Sequence, residues 1–180
     1  MQRTVFPNMV KQNKLHIALT FIMIVILCGC FYESIMPLAP INADLFDEDL
    51  LGVWLQTDPI GSDQPLRITI FQFRGPEYYL EVLSDTATSK GIQTVDRYNG
   101  YLTMVEKSMF MNVQELKPGA RPYWLFRIKK IGNDTLVVAG LLENIAPQFE
   151  SSKKLYEFVK ANLSVDTAFT AVGTFERISE

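Results

Sequence analysis

Between Leu51 and Arg177 the chain is a succession of short β-patterned stretches cut by turn residues, and this restricts its fold more than any other feature. Leu51–Gln56 is the first strand candidate. Arg67–Phe73 follows as Arg-Ile-Thr-Ile-Phe-Gln-Phe, dense in β-branched and aromatic side chains. Gly75-Pro76 turns the chain into Tyr78–Leu83, and Ser84–Gly91 is polar loop. Thr94–Tyr98 and Tyr101–Val105 flank Asn99-Gly100, a pair that tolerates the positive φ angles of a two-residue hairpin turn, so they read as two strands. Met109–Pro122 is less regular, and Lys117–Pro122 is loop by composition. In Tyr123–Ile131 the alternate residues Trp124, Phe126 and Ile128 share one face. Gly132-Asn133-Asp134 leads into Thr135–Leu142, and Ala171–Arg177 closes the series. Strands joined mostly by short turns favour an antiparallel meander over a parallel sheet. The expected fold is therefore mainly β: about eight antiparallel strands in a meander or barrel.

One helix interrupts the series before the last strand. Ser151 or Ser152 caps it, and Leu155, Phe158, Val159 and Leu163 fall on one face, away from Lys153, Lys154, Glu157 and Lys160. Such a helix packs on the end or the wall of the sheet. Ahead of the first strand, Asp47-Glu48-Asp49 lacks the spacing of a calcium loop. It reads as a solvated helical turn with Leu45, Phe46, Leu50 and Leu51 facing inward.

The N-terminal part obeys different rules. Arg3, Lys11 and Lys14 precede an apolar run that extends from Leu15 to Cys30, and no acid occurs before Glu33. A basic region followed by a short apolar region is the pattern of a secretory signal, and Met9 is an alternative start that gives it a more ordinary length. The run falls short of the roughly 20 apolar residues of a membrane span, unless Cys28–Tyr32 is counted in as part of an uncleaved anchor.

Leu27-Cys28-Gly29-Cys30 resembles the lipobox of bacterial lipoproteins, although Cys28 is an uncommon occupant of the middle position. The resemblance implies cleavage after Gly29, a lipid on Cys30, and a bacterial envelope location. With Phe31 rather than Asp after the cysteine, it implies the outer membrane, facing the periplasm. The expected organisation is a signal peptide over residues 1–29, a lipidated tether over 30–44 and a β-domain over 45–180. Fourteen residues, 31–44, span about 45–50 Å at full extension. Packing of Ile35, Met36 and Leu38 on the domain is the other reading of that segment.

Composition narrows the chemistry. Three of the 17 basic residues and none of the 20 acidic ones precede Cys30, so the 151 residues from Cys30 onward carry a formal charge of −6. An acidic domain is a poor nucleic-acid partner. The single histidine, His16, lies in the leader, which leaves the β-domain without an imidazole for acid–base catalysis or for a zinc site of usual type. Cys30 is the one cysteine after Gly29, so no intrachain disulfide is expected. No cofactor, metal site or catalytic residue is assigned.

Leu51-Gly52-Val53-Trp54 resembles the Gly-x-Trp signature of lipocalins and lipocalin-like domains. The resemblance covers about residues 45–179 and includes a late helix followed by a strand that carries Arg177. It implies that Trp54 packs across the closed base of a barrel against Arg177. An eight-stranded barrel is wide enough for side chains or one small ligand. Phe71, Tyr78, Tyr101, Trp124 and Phe126, with Phe73, Tyr79 and Tyr123, therefore have two readings: the lining of an apolar pocket, or a solid core. Ser151-Ser-Lys-Lys154 has the Ser-x-x-Lys spacing of penicillin-interacting enzymes, and a helix cap explains it better. The expected partners are the membrane, through lipid on Cys30, and either a small apolar ligand or an envelope protein.

Overall fold

The computed structural model describes residues 31–58, 65–84, 94–119, 121–143 and 146–178. The signal-peptide and acylation assignments, on residues 1–29 and on Cys30, lie outside these residues. A two-residue strand, β1 (Glu33–Ser34), comes first. Eight longer strands follow: β2 (Gly52–Gln56), β3 (Arg67–Arg74), β4 (Glu77–Ser84), β5 (Thr94–Val105), β6 (Ser108–Glu115), β7 (Tyr123–Ile131), β8 (Thr135–Leu141) and β9 (Phe169–Ile178). From β2 to β9 each pairs antiparallel with the next, and β9 returns to β2 with Trp54 opposite Arg177. The sheet is thus a closed eight-stranded barrel, which removes the free edges that invite aggregation. Helix α1 (Ser152–Ala161) lies between β8 and β9. It starts where the Ser151 side chain accepts the Lys154 amide, which accounts for the Ser-x-x-Lys spacing as an N-cap.

Two apolar cores result from the two faces of one wall. Inward residues such as Trp54, Ile70, Leu80, Met111 and Phe175 fill the barrel. Outward residues Val105, Phe110 and Leu125 form a second core with Leu155 and Val159 of α1 and with Tyr32 and Leu38. The helix therefore packs on the wall, on the outside of the barrel.

Three expectations are corrected. Asn99-Gly100 makes no turn: β5 runs through it, with Asn99 opposite Tyr79 on one side and Gln114 on the other. Gly100 is needed for close approach, since a Cβ there would lie 3.1 Å from Leu80 Cδ1 and 3.3 Å from Met111 Sδ. The hairpin turn falls instead at Glu106-Lys107, with Glu106 at φ 54°. Second, Met109–Glu115 belongs to a regular strand. Four consecutive residues of β6 are buried, because its outer face is covered too, and this erases the alternation by which a strand is recognised.

Third, residues 31–44 do not form a free tether. Tyr32, Ser34 and Leu38 are buried. Phe31 bridges to Leu142, and the Tyr32 amide donates to the Leu141 carbonyl at 2.8 Å. Glu33 and Ser34 pair with Trp124 and Tyr123 of β7, beyond the point where β8 leaves that strand. The segment is wedged between the parting ends of β7 and β8. It then crosses β6 and β5, where Leu38 meets Asn112 and the Ala39 carbonyl accepts from the Tyr101 hydroxyl at 2.8 Å. A 3-10 turn over Glu48–Leu50 follows at the opposite end of the barrel. We call residues 31–44 the strap.

Candidate ligand cavity

The start of β2 and the end of β9 meet at one end of the barrel, and that end is sealed. Leu45, Phe46, Leu50 and Leu51 pack into the inner core as the leucine and phenylalanine pattern predicts. The Phe46 ring stacks on Tyr78 with centroids 4.9 Å apart. Below them the Trp54 indole donates to the Leu50 carbonyl at 3.0 Å. The Arg177 guanidinium lies over the Trp54 ring, 4.4 Å from its centroid, and donates to the Leu51 and Asp49 carbonyls. A cation held over an indole is worth about 0.5–2 kcal/mol. Gly52 stands at φ 125°, and a Cβ there would meet the guanidinium at 2.9 Å, so the glycine makes room for the arginine.

The acids of the turn have a structural partner. Lys130, at the end of β7, reaches Asp47 at 2.8 Å and Asp49 at 2.7 Å. Burial disfavours its ammonium, but the hydrogen bonds to both carboxylates outweigh that and hold its pKa above the ordinary lysine value. Hydrogen bonding to Lys130 lowers the pKa of Asp49. The Tyr78 hydroxyl accepts the Asp47 amide at 2.7 Å and donates to the Asp47 carbonyl at 3.2 Å. Burial pushes the Tyr78 pKa up to about 12. These contacts clamp the turn over the base.

Above this seal the barrel is hollow. A cavity of about 320 Å³ is bounded by Trp54, Ile70, Leu80, Met111 and Phe175 toward the base. Toward the other end Ile68, Val82, Tyr98, Trp124, Val138 and Val172 bound it. Its size is at the lower end of ordinary ligand pockets. All its lining side chains are apolar or aromatic, and the only polar side-chain groups these residues carry are the Tyr98 hydroxyl and two indole N–H groups, which donate to Leu50 and Glu33. Near the rim Trp124 packs edge-on against Tyr98, with centroids 5.7 Å apart, and its N–H donates to Glu33 at 3.3 Å.

Of the residues proposed for pocket or core, Trp124 and Phe126 line the cavity, and Tyr78 lies in the seal beneath it. Two are corrected as pocket residues. Phe71 is outside and 47% exposed, beside Phe73 and Tyr79. The Arg67–Phe73 stretch carries two overlapping alternations, one through Ile68 and Ile70 and one through Phe71 and Phe73. The pairing of Gly52 with Ile70 puts the isoleucines inside. Tyr101 is buried on the outer face, under the strap. Sequence reasoning passed over the aliphatic lining, for which the strand alternation through Leu80 and Val82 was a usable signal.

It also missed Phe31, for which there was none. Phe31 reaches the cavity through the gap between β7 and β8 and lies edge-on to Phe126, with centroids 5.8 Å apart. Gly140 opens that gap: a Cβ there would fall 2.3 Å from Phe31 Cδ1. Among the described residues no group of three or more His, Cys, Asp or Glu side chains is placed to hold a metal ion.

No family model, curated protein or solved structure matches this chain.

Proposed function

We propose that this chain is a noncatalytic envelope lipoprotein, anchored by lipid on Cys30, whose barrel holds a small apolar molecule or a single lipid chain. The observation that carries the reading is the cavity: about 320 Å³, lined by apolar and aromatic side chains and sealed at one end. An interior of this kind takes hydrocarbon and rejects charge, because an unpaired polar group would lose its water without compensation. The apolar run closed by Leu27-Cys28-Gly29-Cys30 supports export and lipidation, and with Phe31 next it favours the outer membrane. The Gly52-x-Trp54 start, with Arg177 over the indole at a closed base, supports a lipocalin-like domain.

The experiment is native and denaturing mass spectrometry of the full chain purified from membranes, alongside Val138→Trp, which fills the cavity. A lipid-sized adduct present only in the native spectrum, and lost in the variant, is the expected result. A wild-type chain with no noncovalent adduct, and no uptake of added fatty acid, overturns it. One observation favours a second reading, a protein-interaction module: Phe71 and Phe73, 47% and 54% exposed, flank Tyr79 on the outer wall. If cavity binding fails, Phe71→Ser/Phe73→Ser is the variant with which to test partner capture.

A further inference from the structure

A lipid on Cys30 would be joined to the barrel at the end opposite the seal, with no spacer. Phe31 follows Cys30 directly in the chain. Its ring is seated against Gly140 and Phe126, its backbone bridges to Leu142, and the Tyr32 amide is bonded to Leu141. With Phe31 seated and Tyr32 1% exposed, the chain is held from the first residue after the cysteine. Adjacent Cα atoms are about 3.8 Å apart, against the 45–50 Å that a free fourteen-residue tether would allow. The point of attachment is also far from the seal. Glu33 pairs with Trp124, six residues along β7 from Lys130, which holds the base turn. At about 3.3 Å per residue this is roughly 20 Å along the strand, most of the length of β7.

We propose that the end of the barrel opposite the seal is the surface that meets the bilayer, so that the cavity exchanges single acyl chains directly with the membrane. This rests on the reading of Leu15–Cys30 as the source of the anchor. It holds equally for a lipid on Cys30 and for an uncleaved apolar segment, since both join the domain at Phe31. An acyl chain is the occupant that fits: the hydrocarbon enters the apolar interior, and its polar end stays at the rim, where Tyr98, Trp124 and Glu33 bring polar atoms.

The two tryptophans stand at opposite ends of the cavity, which makes the orientation measurable. The full, processed chain is reconstituted into phosphatidylcholine vesicles brominated near the headgroup, as Trp54→Phe and Trp124→Phe variants. Trp124, the reporter in Trp54→Phe, should lose at least twice as much fluorescence to bromine as Trp54 does in Trp124→Phe. Equal quenching, or greater quenching of Trp54, overturns the orientation.

A second pair of variants avoids the barrel interior. Leu116, 39% exposed in the loop after β6, and Ile131, 52% exposed at the end of β7, mark the end opposite the seal and the sealed end. A solvatochromic label on Leu116→Cys should shift to the blue on vesicles, and one on Ile131→Cys should not. The reverse pattern, or no shift at either site, overturns the proposal. A chain that does not float with vesicles at all overturns the anchor reading and this proposal with it. Flotation with the wrong orientation overturns this proposal alone and leaves the cavity-binding result untouched.

Discussion

The Leu38 amide donates to Asn112 Oδ1 at 2.7 Å, and both residues are completely buried. The same Asn112 side chain donates to Thr103 Oγ1 at 2.9 Å. One amide on the outer face of β6 thus joins the strap to the wall and satisfies polar groups of the strap and of β5. Asn112→Leu keeps the volume and removes every partner. It should cost about 1–3 kcal/mol, the usual penalty for a buried amide left unbonded. The urea midpoint of the full chain measures it, and an unchanged midpoint would mean that the strap is not held there.

Trp54→Ala removes the largest fully buried side chain of the inner core and should destabilise the barrel by about 3–5 kcal/mol. Arg177→Met keeps much of the stem but loses the cation over the indole and the bonds to Leu51 and Asp49, for a smaller loss of about 1–3 kcal/mol. Denaturant titration of both variants provides the comparison. If Arg177→Met cost as much as Trp54→Ala, the arginine would be a principal support of the base and not merely its cover.

Gly140→Ala should expel Phe31 from its seat, because a Cβ and the ring cannot both occupy that space. Phe31→Ala should then be destabilising in the wild-type background and nearly silent in Gly140→Ala. The coupling energy in a double-mutant cycle is expected at about 0.5–3 kcal/mol. Additive effects would place Phe31 elsewhere in solution.

The base should loosen in alkali. Tyr78 has a folded pKa raised by burial to about 12, from 10.0. A raised folded pKa means that the stability it contributes is complete below about pH 10 and is lost as pH climbs through 12. Two units correspond to roughly 2–3 kcal/mol. Lys130 acts in the same direction, since its pKa is raised too. Tyr78→Phe should be less stable at neutral pH, having lost the bonds to Asp47, yet show a shallower decline between pH 10 and 12. On the acid side Asp49, lowered by Lys130, contributes above about pH 4, and this is lost as pH falls through its folded value. It is exposed, so salt should weaken that contribution. Melting temperatures across pH, at low and high salt, check both limbs.

Much of the barrel was legible locally. Density of β-branched and aromatic residues marked the strands, turn residues separated most of them, and a serine with a 3.6-residue apolar pattern marked the helix. Where local reading failed, a neighbour had changed what the pattern meant. Gly100 looked like a turn residue and is a close-approach residue, because Leu80 and Met111 press on it from adjacent strands. β6 looked irregular because strap and helix bury the face that would otherwise be polar.

The amino-acid sequence by itself determined the class of fold, the antiparallel order, the helix and the packing of leucines and Phe46 under the base, since these follow from periodicity and turn chemistry within a few residues. Tertiary structure alone decided which face of each strand points inward. A strand such as Arg67–Phe73 has apolar residues on both faces, and only its register against β2 chooses between them. It alone decided that the strap is fixed and that Phe31 reaches the cavity. Those outcomes depend on Gly140, Asn112 and Leu142, more than 70 residues away in the chain, and no local pattern encodes a contact at that separation.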